Sequence, residues 1–291
     1  MPDMLFHLSF ALLIGVIFKI KNWKLLVTGA LLPDFSRILL TLLNITGFNE
    51  VKTYLILEPL HTPFICLLLS LSISLLFNNV LKNFLVVYLG VFTHFVLDTM
   101  QFAGSFGNLL LYPFLYKQYS LNLFYAGKII FPIIGIVMLI ISLYYLKEKN
   151  YLVLNKKFYF SIIPFLLVLV LIFFTPKILQ QNNVHSTDFI TSPEKYENKE
   201  ISLYNSKIIF LDPLILNEMG KSFIIEINQK LDLNSKVTIK GIYKNNKIYI
   251  NNIFFHNYNK EIFSILGILT YLFLLIKDKL SLSVFFDEVS Y

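Results

Sequence analysis

Seven long apolar stretches recur along this chain, and one soluble core could not hide them all. They run from about Leu5 to Ile20, Leu25 to Ile45, Pro63 to Phe77, Phe84 to Met100, Ile129 to Leu146, Phe158 to Thr175 and Ile262 to Ile276. A composition that is 56% hydrophobic over 291 residues points the same way. A hydrocarbon layer of about 30 Å needs roughly 20 such residues per helix. Several stretches are at or below about 18, so tilt or re-entry is part of the expectation. The fold class expected is an α-helical polytopic membrane protein of about seven transmembrane helices, with a small all-β, OB-like soluble insert.

The first stretch lacks a basic segment before it and a small-residue cleavage site behind it, so it is expected to be retained rather than cleaved as a signal. Cys66, the single cysteine, excludes an intramolecular disulfide and reads as a small buried hydrophobe. If there are seven spans, Lys19, Lys21, Lys24, Lys82, Lys147, Lys149, Lys156, Lys157, Lys277 and Lys279 fall on one side. The positive-inside rule makes that side cytoplasmic. The expectation is a multi-pass protein of the cell membrane, with the N-terminus and the β-insert outside and the C-terminus inside. The formal charge of +7 is then largely a topology signal, and no nucleic-acid partner is expected.

From about Pro176 to Lys260 the pattern changes to short alternating runs, which divides the chain into a helical part over 1–175, an insert over 176–260 and a last helix with its tail over 261–291. Gln180 to Lys199 reads as a linker without a sustained apolar pattern. Five strands are expected at Glu200 to Tyr204, Lys207 to Leu211, Lys221 to Ile227, Lys236 to Tyr243 and Lys247 to Phe255, with a helix-like connection at Pro213 to Met219. Gly241 suits a bulge, and Lys244, Asn245 and Asn246 suit a hairpin turn. Eleven lysines against eight acidic residues leave the insert nearly balanced, with no polyanion groove evident. Tyr243, Tyr249 and Phe254 offer a stacking platform or, more ordinarily, core and surface aromatics.

Within the first hundred residues, His7, Asp34, His61, His94 and Asp98 interrupt otherwise apolar segments. A charged side chain at a bilayer centre costs at least ~2.5 kcal/mol, so such groups persist where they pair, line a wet cavity or hold an ion. His94 and Asp98 are four apart and share a helix face. Asp34 follows Pro33, which removes a backbone donor and favours a new helix start, and Arg37 is placed to pair with it. Asp3 is placed to cap the first helix ahead of His7. Each residue alone has an ordinary structural reading, but the seven-span topology brings the three imidazoles and one or two carboxylates to one side, Asp34 joining them if the span from Leu25 ends at the break. Three imidazoles with two carboxylates suit Zn²⁺, or Mn²⁺ or Fe²⁺, with room for one or two ions.

The pieces MPDMLFH, GALLPDFSRI, EPLHTPF and GVFTHFVLDTMQFAGSFGNLLLYPF, covering about residues 1–116, resemble the YdjM-like group of membrane-bound metal-dependent hydrolases (domain of unknown function 457) in order and spacing. The resemblance implies His7, Asp34, His61, His94 and Asp98 as the metal-binding and catalytic set. Many members carry a second aspartate two residues after the proline–aspartate pair, where this chain has Ser36. A motif-level similarity to zinc-dependent phospholipase C further implies a phosphoester, and a lipid as one form of it.

The function expected is metal-assisted hydrolysis at the outer membrane interface. His7, His61 and His94 are assigned as ligands, Asp98 as a ligand or the orienter of a histidine, and Asp34 as a ligand or general base. Tyr112 and Lys117 are placed to meet an anionic substrate. Two other classes stay open: a metal-ion or proton transporter, which calls for polar groups on both sides of the midplane, and a scaffold that presents the β-insert. Ser105, in Gly104-Ser105-Phe106-Gly107, lacks the strand-to-helix setting of a nucleophile elbow.

Overall fold

A computed structural model describes residues 3–102, 107–125, 127–146, 152–227, 229, 231–256 and 260–287, with side chains of the last helix described through Ile276. Among these residues the helical part contains α1 (Met4–Ile17), α2 (Trp23–Leu31), α3 (Phe35–Ile45), α4 (Glu50–Leu57), α5 (Pro63–Leu75), α6 (Val80–Met100), α7 (Ile130–Tyr145) and α8 (Ile162–Phe174). Two short helices, α9 (Pro176–Gln181) and α10 (Thr187–Thr191), lead into a five-stranded barrel, and α11 (Lys260–Asp287) follows it.

Seven full spans are not what the chain forms. Among the described residues only α6 is long and apolar enough to cross a membrane, and the number reaches three if each of two bent helix pairs counts as one span. The pairs are α2 with α3, bent by 49°, and α4 with its following turn against α5, bent by 66°. Prolines cause both breaks. Pro33 has no N–H for the carbonyl of Gly29, which instead accepts from Leu32 N at 3.3 Å. Pro63 opens α5 after an extended Thr62. The helices α1, α7 and α8 are apolar but short. At 1.5 Å per residue, 13 to 16 residues reach only about 20–24 Å. The lysine-based orientation rested on seven spans and does not follow from one to three.

Two helices, α7 and α8, turn apolar faces outward. In α7 the residues turned inward are Pro132, Gly135 and Ser142, while Ile133, Ile136, Val137 and Ile140 face out. In α8 only Pro164 and Val168 are buried, and Ile163, Leu166, Val170 and Phe173 face out. Inside, α2 and α6 pack backbone to backbone. A Cβ added at Gly29 would lie 1.9 Å from the carbonyl oxygen of Val87, and one at Gly90 would lie 2.0 Å from that of Leu26. Glycine at both positions permits this approach. It sets His94, one turn beyond Gly90, against the C-terminal end of α2.

The barrel strands are β1 (Lys199–Leu211), β2 (Leu214–Glu218), β3 (Lys221–Glu226), β4 (Lys236–Lys244) and β5 (Lys247–Phe255). They close in the order β1-β2-β3-β5-β4, with β3 and β5 parallel and the other pairs antiparallel. This is a Greek-key barrel of the OB type. The two runs expected at Glu200 to Tyr204 and Lys207 to Leu211 are one bent strand, with a register shift between Leu203 and Ser206. The expected helical connection at Pro213 to Met219 is β2, because Ile215 and Leu216 pair with Ile224 and Phe223. A register shift falls between Lys240 and Gly241, and Asn245 and Asn246 take left-handed φ of 51° and 59° in the β4–β5 turn.

The stretch Gln180 to Lys199 is no open linker. Val184, Phe189 and Ile190 are buried there, in a core that runs without interruption from Val51, Ile65 and Val168 to Ile208, Leu216 and Ile248 of the barrel. Tyr243 packs edge-on against Phe189 at 5.3 Å and Phe254 against Phe102 at 4.7 Å. Those two aromatics are therefore committed to packing rather than to a stacking platform.

Glu218 ends β2 in a buried position, and burial pushes its carboxyl up to about 8 from an ordinary 4.5, even though the Ser206 hydroxyl donates to it. Between those values the folded chain holds a proton that the unfolded chain has released. This contribution to stability is therefore present at low pH and lost as pH rises from about 4.5 through about 8. Thermal midpoints measured across that range should fall relative to those of Glu218→Gln, whose neutral side chain has no proton to lose. Parallel curves for the two proteins would contradict this.

Candidate metal centre

Four elements carry the five polar residues to one place. Asp3 caps α1, accepting from Phe6 N at 2.9 Å, and this starts the helix that buries His7. Asp34 stands at the break between α2 and α3. His61 ends the 3₁₀ turn Glu58–His61, and His94 and Asp98 lie on one face of α6. All five are buried, and His94 is fully so.

His61 Nε2, His94 Nε2 and Asp98 Oδ2 form a tight triangle with edges of 3.1, 3.3 and 3.3 Å. Ligands bonded to one tetrahedral zinc at ~2.0–2.1 Å stand about 3.3 Å apart, so the triangle has the dimensions of one face of such a site. Asp34 Oδ1 is the next group, 3.9 Å from His61 Nε2 and 4.0 Å from His94 Nε2. His7 lies on another side, its ring stacked on that of His94 at 3.8 Å and its Nε2 3.3 Å from Asp98 Oδ1.

Two outer contacts fix how these groups point. His94 Nδ1 lies 2.8 Å from the carbonyl oxygen of Ala30, close to the end of α2. Nδ1 therefore carries the hydrogen and donates it, which turns the Nε2 lone pair into the triangle. Gln101 Nε2 donates to Asp98 Oδ1 at 2.8 Å, leaving Oδ2 for the triangle. Gln101 is itself buried and escaped the sequence reading, although its position three residues past Asp98 at the C-terminal end of α6 was a usable signal.

The donor set fits a divalent cation. Asp98 Oδ2 and both ring nitrogens of His7 are buried without a hydrogen-bond partner. Orphaned acceptors and imidazoles of this kind are costly unless something satisfies them. Two groups can each present three ligand atoms within 4.8 Å of one another: His7, His94 and Asp98; and Asp34, His61 and His94. Because they share His94, they describe one centre with two sides.

Other expected contacts fall elsewhere. Arg37 meets Glu58 at 3.6 Å and stacks its guanidinium over Tyr54 at 5.3 Å. Tyr112 is buried with its hydroxyl 2.6 Å from that of Thr175, which makes it a core residue and not a substrate contact. Lys117 lies 5.7 Å over the ring of Tyr119. Ser105 lies outside the described residues. Cys66 is buried, with its thiol against the carbonyl of Leu60 at 3.2 Å. No protein-family model matches this chain, and no curated protein or solved structure matches it.

Proposed function

We propose that this protein is a membrane-embedded, metal-dependent hydrolase that acts on a phosphoester or lipid-like substrate. The triangle of His61, His94 and Asp98, with Asp34 at longer reach, carries the reading. His61, His94 and Asp98 would hold the ion, and zinc suits this donor set best, with manganese or iron as alternatives. Such an ion supplies Lewis acidity to a scissile group and acidifies water toward a pKa of ~7. Membership of the YdjM-like hydrolases, proposed here on the four sequence motifs, agrees with this role.

Asp34 is the residue set apart. At 3.9 and 4.0 Å from the two histidines it is close enough to hold a water against the triangle and to accept its proton. Gln101 keeps the other oxygen of Asp98 occupied, with His7 Nε2 3.3 Å from that oxygen, and the Ala30 carbonyl holds the ring of His94 in place.

Bilayer embedding is supported by the outward apolar faces of α7 and α8 and by the inward turn of Gly135 and Ser142 in α7. Next to the site, α3 exposes Phe35, Leu42 and Ile45, so an amphiphilic substrate would approach along an apolar surface.

Elemental analysis of detergent-purified protein should find a transition metal. Stripping it with a chelator should abolish hydrolysis of a chromogenic phosphodiester, and adding zinc or manganese should restore it. Protein that contains no such metal and takes none up would overturn the reading. Asp34→Asn should keep most of the metal and lose about 100-fold or more in turnover, the scale on which general-base catalysis contributes.

A further inference from the structure

Beside the metal triangle lies a second polar group that the proposed chemistry leaves unused: the buried Tyr54 and Glu58 with the half-buried Arg37 and His185. Glu58 is 3% exposed and is gripped from two sides. Its Oε1 lies 3.1 Å from His185 Nε2, and its Oε2 lies 3.6 Å from Arg37 Nη2. Tyr54 closes the group, its ring edge-on to His185 at 5.4 Å and under the guanidinium of Arg37 at 5.3 Å.

The spacing of these residues repeats that of the site. Asp34 and Arg37 are three apart across the first turn of α3, and Glu58 and His61 are three apart in a 3₁₀ turn, where such residues eclipse one another. Two tiers result. In the inner tier Asp34 faces His61 at 3.9 Å, and in the outer tier Arg37 faces Glu58 at 3.6 Å. The same two backbone segments carry both pairs, so the outer pair sets the distance between the members of the inner one.

His185 joins the outer tier from the segment that precedes the barrel, and the chain is strained to deliver it. Asn183, His185 and Ser186 have φ of 49°, 49° and 59°, a left-handed conformation that non-glycine residues adopt at a cost. The surroundings enforce it: Asn183 Oδ1 accepts from the backbone N–H groups of Asp188 and Phe189, and Ser186 donates to the carbonyl of Ser202 in β1.

We propose that Glu58, clamped by Arg37 and His185, is a positioning residue for Asp34 and His61, so that the insert is a working part of the metal centre through His185. This rests on the metal reading of the site. Glu58 touches neither ion nor substrate; it acts through the 3₁₀ turn and the start of α3.

The test is zinc affinity of the full-length, detergent-solubilised protein by competition with a chromogenic chelator, together with the visible absorption of its cobalt form. Glu58→Gln and His185→Ala should each weaken zinc by ~10-fold or more, the range for loss of an outer-layer partner, and shift the cobalt bands. Far-UV circular dichroism and the thermal midpoint of the metal-free protein should stay close to wild type. His185→Gln, whose amide can still donate to Glu58, should recover most of the loss. Unchanged affinity and cobalt spectrum in both variants would overturn the proposal while leaving the metal centre standing. A wild-type protein that binds neither ion would overturn both. Should Glu58→Gln fail to fold, the two His185 variants decide alone: loss in His185→Ala with recovery in His185→Gln supports the clamp, and no loss in either refutes it.

Discussion

His94→Ala is expected to empty the proposed metal centre, lowering zinc affinity by far more than the ~100-fold that an outer-layer partner can account for. His94 has several roles in the site at once. Its Nε2 faces both His61 and Asp98, its Nδ1 is tied to the Ala30 carbonyl, and its ring supports that of His7. Truncation to alanine removes one corner of the triangle and leaves only the His61 Nε2–Asp98 Oδ2 edge of 3.3 Å. Metal content by elemental analysis, with chelator competition for affinity, is the measurement. His256→Ala is the matched control, because His256 lies at the end of the barrel, 2.9 Å from the Thr238 hydroxyl, and takes no part in the site. Equal metal content in the two variants would remove His94 from the ligand set.

Gly90→Ala should lose the centre without touching a ligand. The added methyl would sit 2.0 Å from the Leu26 carbonyl oxygen and 2.8 Å from Ala30 N, both backbone atoms that have no rotamer to change. The helices must separate, at a cost of about 3 kcal/mol or more, the upper range for overpacking. Separation also draws His94 away from the Ala30 carbonyl that orients it. A lower denaturation midpoint and a lower zinc affinity should therefore appear together. Gly47→Ala makes the contrast. Gly47 has φ of +83° and no neighbouring atom within 4 Å, so the change costs about 1 kcal/mol of backbone strain and leaves zinc binding intact. Gly90→Ala with wild-type stability and affinity would mean that α2 and α6 do not need to approach so closely.

The polar residues of the site were legible because their cost made them conspicuous: an imidazole or carboxylate in an apolar run requires a partner. The spacing of His94 and Asp98 placed them on one helix face, and Pro33 marked a break beside Asp34. The route by which they were brought together was not legible. Lysine alternation over seven spans put them on one side, yet α1, α7 and α8 are too short, the expected span from Leu25 to Ile45 is bent at Pro33, and the one expected from Pro63 reaches spanning length only when joined to α4 across a 66° bend. The convergence comes instead from the Gly29–Gly90 crossing and from the 3₁₀ turn that lowers His61 onto His94.

In the insert, β5 was readable from its alternation and its asparagine turn. β2 was not, because Leu-Ile-Leu in a short run carries no period, and only pairing with β3 makes it a strand. His185 gave no local signal either. It belongs to a stretch rich in asparagine and serine, and its partner Glu58 is 127 residues away in the sequence.

The sequence by itself determined which residues stand out as candidates for the site, since the energetic penalty of each is a property of the residue and its immediate neighbours. It also determined where helices must break, because proline acts through its own missing N–H. The tertiary structure alone decided that Asp98 turns one oxygen to the triangle and the other to Gln101 and His7, that Asp34 stands back from it, and that Arg37 pairs with Glu58. Those outcomes depend on distances between segments far apart in the chain, and such distances are set by backbone packing that no local pattern encodes.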